Sequence, residues 1–219
     1  MGLIGSGRIG GTVARLSVAA GHQALLSNSR GPDTLKDLAA DLGPLARAAT
    51  GREAAKGGEL VVIAIPLGAY QSVPAGPLDG KVVIDACNYY PQRDGQISEL
   101  DSGALTSSEL VQRHLPGSTV VKVFNNIHYR HLASLARPAG AADRSYLPIA
   151  GDGPAAKAAV TAFLDSIGYG AVDAGPLAEG WRQQPGTPVY GAPYGSFQDP
   201  KGSPAGAATI RQALAAAAR

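Results

Sequence analysis

The first twelve residues constrain this chain more than any other stretch. Met1-Gly-Leu-Ile-Gly5-Ser-Gly7-Arg-Ile-Gly10-Gly-Thr12 is a short apolar run that breaks into G-x-G-x-x-G and then into an alanine-rich helical pattern. In a strand–turn–helix unit each glycine has a physical task. Gly5 permits the tight turn out of the strand, Gly7 lets the backbone approach a pyrophosphate, and Gly10 lets the helix pack closely on the sheet. The free N–H groups and positive dipole end at the helix start then hold phosphates. With 29 glycines in 219 residues, such a motif arises cheaply by chance. Its weight comes from the strand before it, the helix after it and a second strand at the right distance. Gly5, Ser6, Gly7, Arg8, Ile9 and Gly10 are therefore candidate dinucleotide-binding residues.

Val13, Leu16, Val18 and several alanines predict an amphipathic helix over 12–20, stopped at Gly21-His22, with His22 in an exposed turn. A second strand over 23–28 ends in Ser27-Asn28-Ser29-Arg30. About 20 residues past the motif, an NAD-preferring site presents a carboxylate to the ribose 2′-hydroxyl. None is present here. Asn28, Ser29 and Arg30 instead offer hydrogen-bond donors and a guanidinium suited to a 2′-phosphate. The expected cofactor is NADP(H).

Composition narrows the class. Hydrophobic content of 45% with a net charge of +2 is that of an ordinary globular protein. No Lys/Arg run or basic helix face marks a nucleic-acid partner, and no apolar run is long enough to cross a bilayer. The single cysteine provides no disulfide framework and fits a reducing compartment. The N-terminus enters the fold at once, so no signal peptide is expected and the cytoplasm is the expected location. No cluster of His, Cys and carboxylates has metal-ligand spacing.

Further along, a helix is predicted over 33–42, with Leu35, Leu38, Ala39 and Leu42 on one face. A short strand follows over 45–49 and a short helix over 52–56. Leu60–Ile65 and Lys81–Ala86 are continuous apolar runs, as parallel strands covered on both faces should be. A helix over 106–114 begins with Thr106 and carries Glu109 at the capping-box spacing. A strand over 119–124 follows. Strands over 146–150 and 170–173 flank a helix over 154–166. The alternation predicts an α/β fold, a doubly wound and mainly parallel Rossmann sheet. Its first strand is either abbreviated or preceded by residues in a longer form.

From Ala178 the pattern changes. Gly180–Phe197 is dense in Pro and Gly, which precludes a long helix or a central strand. It also holds Trp181, Tyr190, Tyr194 and Phe197 in a chain with 5% aromatics. Such a tract docks on something, as a wrap over a hydrophobic patch, a substrate lid or a dimer arm. A terminal helix over 205–217 follows. The expected organisation is an NADP-binding Rossmann domain over 1–177 and an irregular Pro/Gly/aromatic extension over 178–219, packed on the same domain.

Gly5-Ser-Gly7-Arg-Ile-Gly10, Asn28-Ser29-Arg30, Ala64-Ile65-Pro66, Asp85-Ala86-Cys87-Asn88, Lys122-Val-Phe124-Asn125 and Asp173-Ala-Gly-Pro-Leu177 occur in order. Together they resemble the NADP-dependent coenzyme F420 oxidoreductase family, over about residues 2–177. The resemblance implies hydride transfer between nicotinamide C4 and C5 of a deazaflavin, or a related flavin-type acceptor. That chemistry rests on proximity and orientation more than on side chains. It places Ile65, Pro66 and Leu67 beneath the ribose and nicotinamide, with Cys87 and Asn88 across from them. Asn125 and Asn126 would be amide donors to a ring carbonyl. Cys87 is readable as a redox thiol or as a small buried strand-end residue. Arg93 and Arg130 are candidates to attract an anionic cofactor tail.

Gly180–Gly202 departs from the family, whose members continue with an apolar dimer-forming helix. An alternative is an NADPH-dependent reductase of a small carbonyl or imine, with His128, Tyr129 or Tyr190 as proton donor. His128 and its neighbour His131 are otherwise surface or hydrogen-bonded histidines. A further alternative is a non-catalytic NADP(H) sensor or accessory subunit. A homodimer that closes the cleft is expected.

Overall fold

Runs of Val, Ile and Leu become strands here because both faces of the sheet are covered. The computed structural model describes residues 1–218; Arg219, the last residue of the expected extension, lies outside the described residues. The described residues form eight strands: β1 (Gly2–Ile4), β2 (Ala24–Ser27), β3 (Ala46–Ala48), β4 (Leu60–Ile63), β5 (Val82–Asp85), β6 (Thr119–Lys122), β7 (Tyr146–Gly151) and β8 (Gly170–Asp173). They make one sheet in the order β3-β2-β1-β4-β5-β6-β7-β8. The first six are parallel, in the strand order of a dinucleotide-binding fold. β7 runs antiparallel to β6, with Lys122 opposite Ala150, and β8 is parallel to β7. The sheet is thus doubly wound and mainly parallel. Its strand order reverses between β1 and β4, the topological switch point outside which ligands bind.

The helices are α1 (Arg8–Ala19), α2 (Lys36–Leu42), α3 (Gly51–Gly57), α4 (Pro91–Asp94), α5 (Ser98–Asp101), α6 (Ser107–His114), α7 (Tyr129–Ser134), α8 (Pro154–Ser166) and α9 (Ala207–Ala215). Side chains alternate across the sheet, as a period of two requires. Leu3, Val62, Ile84 and Val121 pack on one face with Phe163 and Leu164 of α8. Ile4, Val61, Ile63, Val83 and Val120 pack on the other with Leu67, Leu78 and Val111. Each such side chain contributes about 1.5–3 kcal/mol of transfer free energy.

Several local expectations are corrected. α1 begins at Arg8, not Thr12, so its first turn lies inside the glycine motif. Gly10 and Gly11 are helical despite poor propensity, because the helix approaches the sheet there. The segment over 33–42 opens as a 3-10 helix, Pro32–Leu35, before α2, and Leu35 is its one fully buried apolar residue. His22 is half-buried between α1 and α8, its Nε2 2.8 Å from Ser166 Oγ. The capping box of α6 is formed: Thr106 Oγ1 accepts from Glu109 N–H, and Glu109 Oε2 accepts from Thr106 N–H at 2.7 Å. α4, α5 and α7 carry no periodic apolar stripe and were not foreseen.

Candidate active site

The three motif glycines are required for different reasons. Gly5 has φ +97°, and a Cβ there would lie 2.4 Å from the Ala64 carbonyl oxygen. A Cβ on Gly10 would lie 1.9 Å from the Gly5 carbonyl oxygen. These two are demanded by the fold itself. Gly7 has an ordinary negative φ, and among the described residues no atom beyond its two chain neighbours lies within 4 Å of the Cβ it lacks. No packing contact excludes a side chain there, so the glycine keeps space free in the cleft. Gly7 is the N-cap of α1, with no side-chain cap and no acid in the first turn. The first N–H groups of this twelve-residue helix are open toward that space. An uncapped helix start beneath a cradle that a side chain at Gly7 would fill fits a pyrophosphate.

The cleft has a volume of about 750 Å3 and lies along the carboxyl ends of β1, β2 and β4. Of the expected residues, Gly5, Ser6, Gly7, Asn28, Ser29, Arg30, Ile65 and Pro66 line it. Gly51, Arg52, Ala69, Ser72 and Pro74 also line it and were not foreseen. Arg52 lies on a separate segment, so no spacing rule connects it to the glycine motif. Ser6 Oγ donates to Ser27 O at 3.0 Å, tying the glycine turn to the end of β2. Asn28 Oδ1 accepts from Arg30 N–H at 2.9 Å, while Asn28 Nδ2 donates to Thr34 Oγ1 at 2.9 Å. The Asn28 amide therefore shapes the turn that presents Ser29 and Arg30.

The other expected residues sit elsewhere. Ile9 and Gly10 face inward on α1, and Leu67 is fully buried. Cys87 is buried behind the end of β5, its N–H donating to Asp85 Oδ1 at 2.9 Å. Burial, then the Asp85 charge, push its thiol well above the usual range. It is a neutral strand-end residue. Asn88 and Asn125 are joined side chain to side chain at 3.0 Å, and Asn88 Nδ2 donates to Asn125 O at 2.7 Å.

A buried ion pair fixes this end of the sheet. Lys122 Nζ lies 3.4 Å from Asp85 Oδ2, with both side chains 0% exposed. It also donates to Cys87 O at 3.1 Å, Ser107 Oγ at 3.2 Å and Ser108 Oγ at 3.0 Å. Ser108 Oγ donates to Asp85 Oδ2 at 2.5 Å. Two residues on, Phe124 has φ 70°, a left-handed conformation that is costly for a bulky side chain. The strain turns Asn125 and Asn126 toward the C-terminal tract. Asn125 Nδ2 donates to Gln183 O at 2.7 Å, and Asn126 Nδ2 to Val189 O at 3.0 Å. The Oδ1 atoms of both amides and the whole Gln183 side-chain amide are buried without a hydrogen-bond partner.

Beside the glycine turn stands an aromatic wall. Arg8 lies over the Tyr129 ring at 5.3 Å. His128 packs on Tyr129, His131 and Phe197 at 4.6, 5.5 and 5.4 Å. Partial burial, then the charges of His131, Arg130 and Arg8, lower the His128 pKa below 6.5. The Tyr90 and Tyr190 hydroxyls are hydrogen-bonded at 2.5 Å, and Arg93 lies over Tyr90 at 4.9 Å. Burial, then the bond to Tyr90, raise the Tyr190 pKa. Phe197, 49% exposed, edges Tyr190 at 6.4 Å. Arg93 is also paired with Asp94 at 2.8 Å, and Arg130 lies over the Tyr129 ring at 5.7 Å. Among the described residues no group of three or more His, Cys, Asp or Glu is placed to hold a metal ion. No helix among them is long and apolar enough to cross a membrane.

Comparison with known proteins agrees with this geometry. The hypothetical protein SMa0349 from Sinorhizobium meliloti is 31% identical, with a TM-score of 0.74 over 85% of this chain and 90% of its own. A provisionally named F420-dependent NADP-reductase from Arthrobacter sp. FB24 is 25% identical, with a TM-score of 0.66 over 80% of this chain and 84% of its own. YjhV of Escherichia coli (strain K12) is 42% identical over 53 residues, a match spanning 24% of this chain and 39% of that protein. The family described as NADP oxidoreductase, coenzyme F420-dependent, matches residues 1–89, the part that builds the glycine turn, the Asn28–Arg30 turn and the floor of the cleft. With the family's pattern matching residues 1–89 and a 31%-identical relative covered over 90% of its own length, the chain belongs to the family described as NADP oxidoreductase, coenzyme F420-dependent.

Proposed function

We propose that this chain transfers a hydride between NADP(H) and a deazaflavin or related flavin acceptor. The observation that carries the reading is the juxtaposition at Arg8. This residue opens the helix that faces the cleft and also stacks on Tyr129, the first ring of the aromatic wall. A dinucleotide cleft thereby adjoins a surface of flat rings and guanidinium groups, which suits a planar acceptor with an anionic tail. Gly5, Ser6 and Gly7 would hold the pyrophosphate on backbone N–H groups, and Ser29 and Arg30 the 2′-phosphate. Ile65 and Pro66 would support the ribose. The bound nicotinamide supplies the hydride. The protein's part is to align two rings and exclude water, for which Tyr90, Tyr190 and Phe197 are suited. The names of the matching family and of the Arthrobacter protein support the acceptor class.

The test is stopped-flow oxidation of NADPH with F420, FMN, FAD and a panel of small imines and ketones. Prompt oxidation with F420 is expected. Tight NADPH binding with no turnover of any flavin-type acceptor would overturn the reading. A second reading, a reductase of small carbonyls or imines, draws on His128, whose Nδ1 has no hydrogen-bond partner. It requires turnover with those substrates that is lost in His128→Ala with NADPH binding unchanged.

A further inference from the structure

Arg30 answers only one side of the cleft's outer end. The facing side is built by the turn between β3 and α3, and its position is fixed by backbone bonds to β2. Ala49 N–H donates to Leu26 O at 2.8 Å, extending the ladder to the threshold of α3. Thr50 then caps α3 reciprocally: its Oγ1 accepts from Glu53 N–H at 3.2 Å, and Glu53 Oε2 accepts from Thr50 N–H at 2.8 Å. Gly51 follows, with a Cβ position 4.0 Å from Ser27 Oγ, so the start of α3 lies against the end of β2. The next residue, Arg52, lines the same cleft as Ser29 and Arg30.

Among the described residues no ion pair holds Arg52. The first turn of a helix favours acidic side chains, and a cation is mildly unfavourable. Among the described residues six arginines are paired with a carboxylate; Arg8, Arg30, Arg47, Arg52, Arg130 and Arg211 are not, and of these Arg30 and Arg52 line the cleft. The acid that follows it on α3, Glu53, is held in the capping box. Two unpaired guanidinium groups therefore share one end of a cleft that contains no carboxylate. Their combined charge matches that of a phosphate monoester near neutral pH, and a guanidinium fork matches its oxygens.

We infer that Arg52 is a second specificity residue for the 2′-phosphate of NADP(H), clamping it from the α3 side opposite Arg30. The inference rests on the NADP(H) reading of the cleft. It assigns cofactor preference to two segments, the β2 turn and the start of α3.

Calorimetric titration of the full-length protein with 2′,5′-ADP and with 5′-AMP tests it, because these probes differ only in the 2′-phosphate. Arg52→Ala should weaken 2′,5′-ADP by roughly 10- to 100-fold, the loss of charge-assisted contacts. Its 5′-AMP affinity should stay within about twofold, and its thermal midpoint should match the wild type, since Arg52 is exposed. Arg52→Lys should recover part of the loss. An Arg52→Ala protein that keeps the wild-type preference for 2′,5′-ADP, or loses both probes equally, overturns the role of Arg52 alone. A wild-type protein that does not distinguish the two probes overturns the NADP(H) reading and this inference together.

Discussion

At the scale of single residues, the glycine motif separates what folding needs from what binding needs. A methyl group on Gly10 meets a backbone carbonyl, which cannot yield without moving the β1 turn. A methyl group on Gly7 meets no described atom beyond its chain neighbours. Gly10→Ala should therefore lower the thermal midpoint, and Gly7→Ala should leave unfolding within about 0.5 kcal/mol of wild type. In Gly7→Ala, NADPH affinity should fall by about tenfold or more, at least about 1.4 kcal/mol. Parallel melting curves and NADPH titrations check the pair, and a Gly7→Ala protein with unaltered affinity would remove the pyrophosphate from this turn. His128 gives a second residue-scale expectation. Its folded pKa is lowered, so the unfolded chain takes up this proton first as pH falls below 6.5. The neutral ring's contribution to stability is thus present above that value and lost below it. The size is modest because the ring is only partly buried. An NMR titration of the His128 ring should give a midpoint under 6.5, and His128→Gln should flatten the decline in melting temperature on acidification.

At the scale of elements, the β5–β6 pair shows what a sequence pattern conveys and what it hides. The apolar runs identify both strands, and their near-continuous Val and Ile content identifies them as parallel and covered on both faces. Lys122, inside the second run, reads as an unremarkable interruption. Its meaning depends on Asp85, its cross-strand neighbour in the β5–β6 register, and on two serines of α6. No local spacing encodes that meeting. The same holds for Arg52, which reaches the cleft because β3 pairs with β2, and for β7, whose antiparallel pairing with β6 no local pattern encodes. α7 leaves no signal in the sequence because its buried side chains, His131 and Leu132, make no apolar periodicity. The glycine turn and the Asn28–Arg30 turn were legible because their chemistry is contiguous. Lys122→Met should strand the Asp85 carboxylate in the interior and cost about 3–5 kcal/mol. Denaturant unfolding measures this, and a loss under about 1 kcal/mol would show that the pair is not sequestered from solvent.

At the scale of the whole molecule, the cleft and the C-terminal extension occupy different ends of the sheet. The cleft belongs to β1, β2 and β4, whereas the extension is tied to β6, β7 and α7. Gly191 N–H donates to Asn126 O at 2.9 Å, Tyr194 Oη donates to Tyr146 O at 2.8 Å, and His131 Nε2 donates to the Asp199 carbonyl at 2.7 Å. Tyr146 N–H donates to Ala205 O at 2.8 Å, after which α9 buries Ile210 and Leu214 against the β7–β8 edge. The aromatic wall joins the two ends, since Tyr90 and Arg8 come from the sheet side and Tyr190 and Phe197 from the extension. Loosening the extension should therefore spare the cofactor and harm the acceptor. Ile210→Ala removes a fully buried side chain and should cost about 2–5 kcal/mol. Its NADPH affinity should stay within about twofold, because no cleft residue belongs to the extension. Saturating NADPH at about a hundred times Kd should stabilise wild type and variant alike by about 2.7 kcal/mol. The acceptor KM should rise in the variant, as Tyr190 and Phe197 lose their fixed backing. Steady-state kinetics with F420 alongside melting curves with and without NADPH separate these effects. A fall in NADPH affinity matching the loss of stability would mean that the sheet responds as one unit and that the extension supports the cofactor as well.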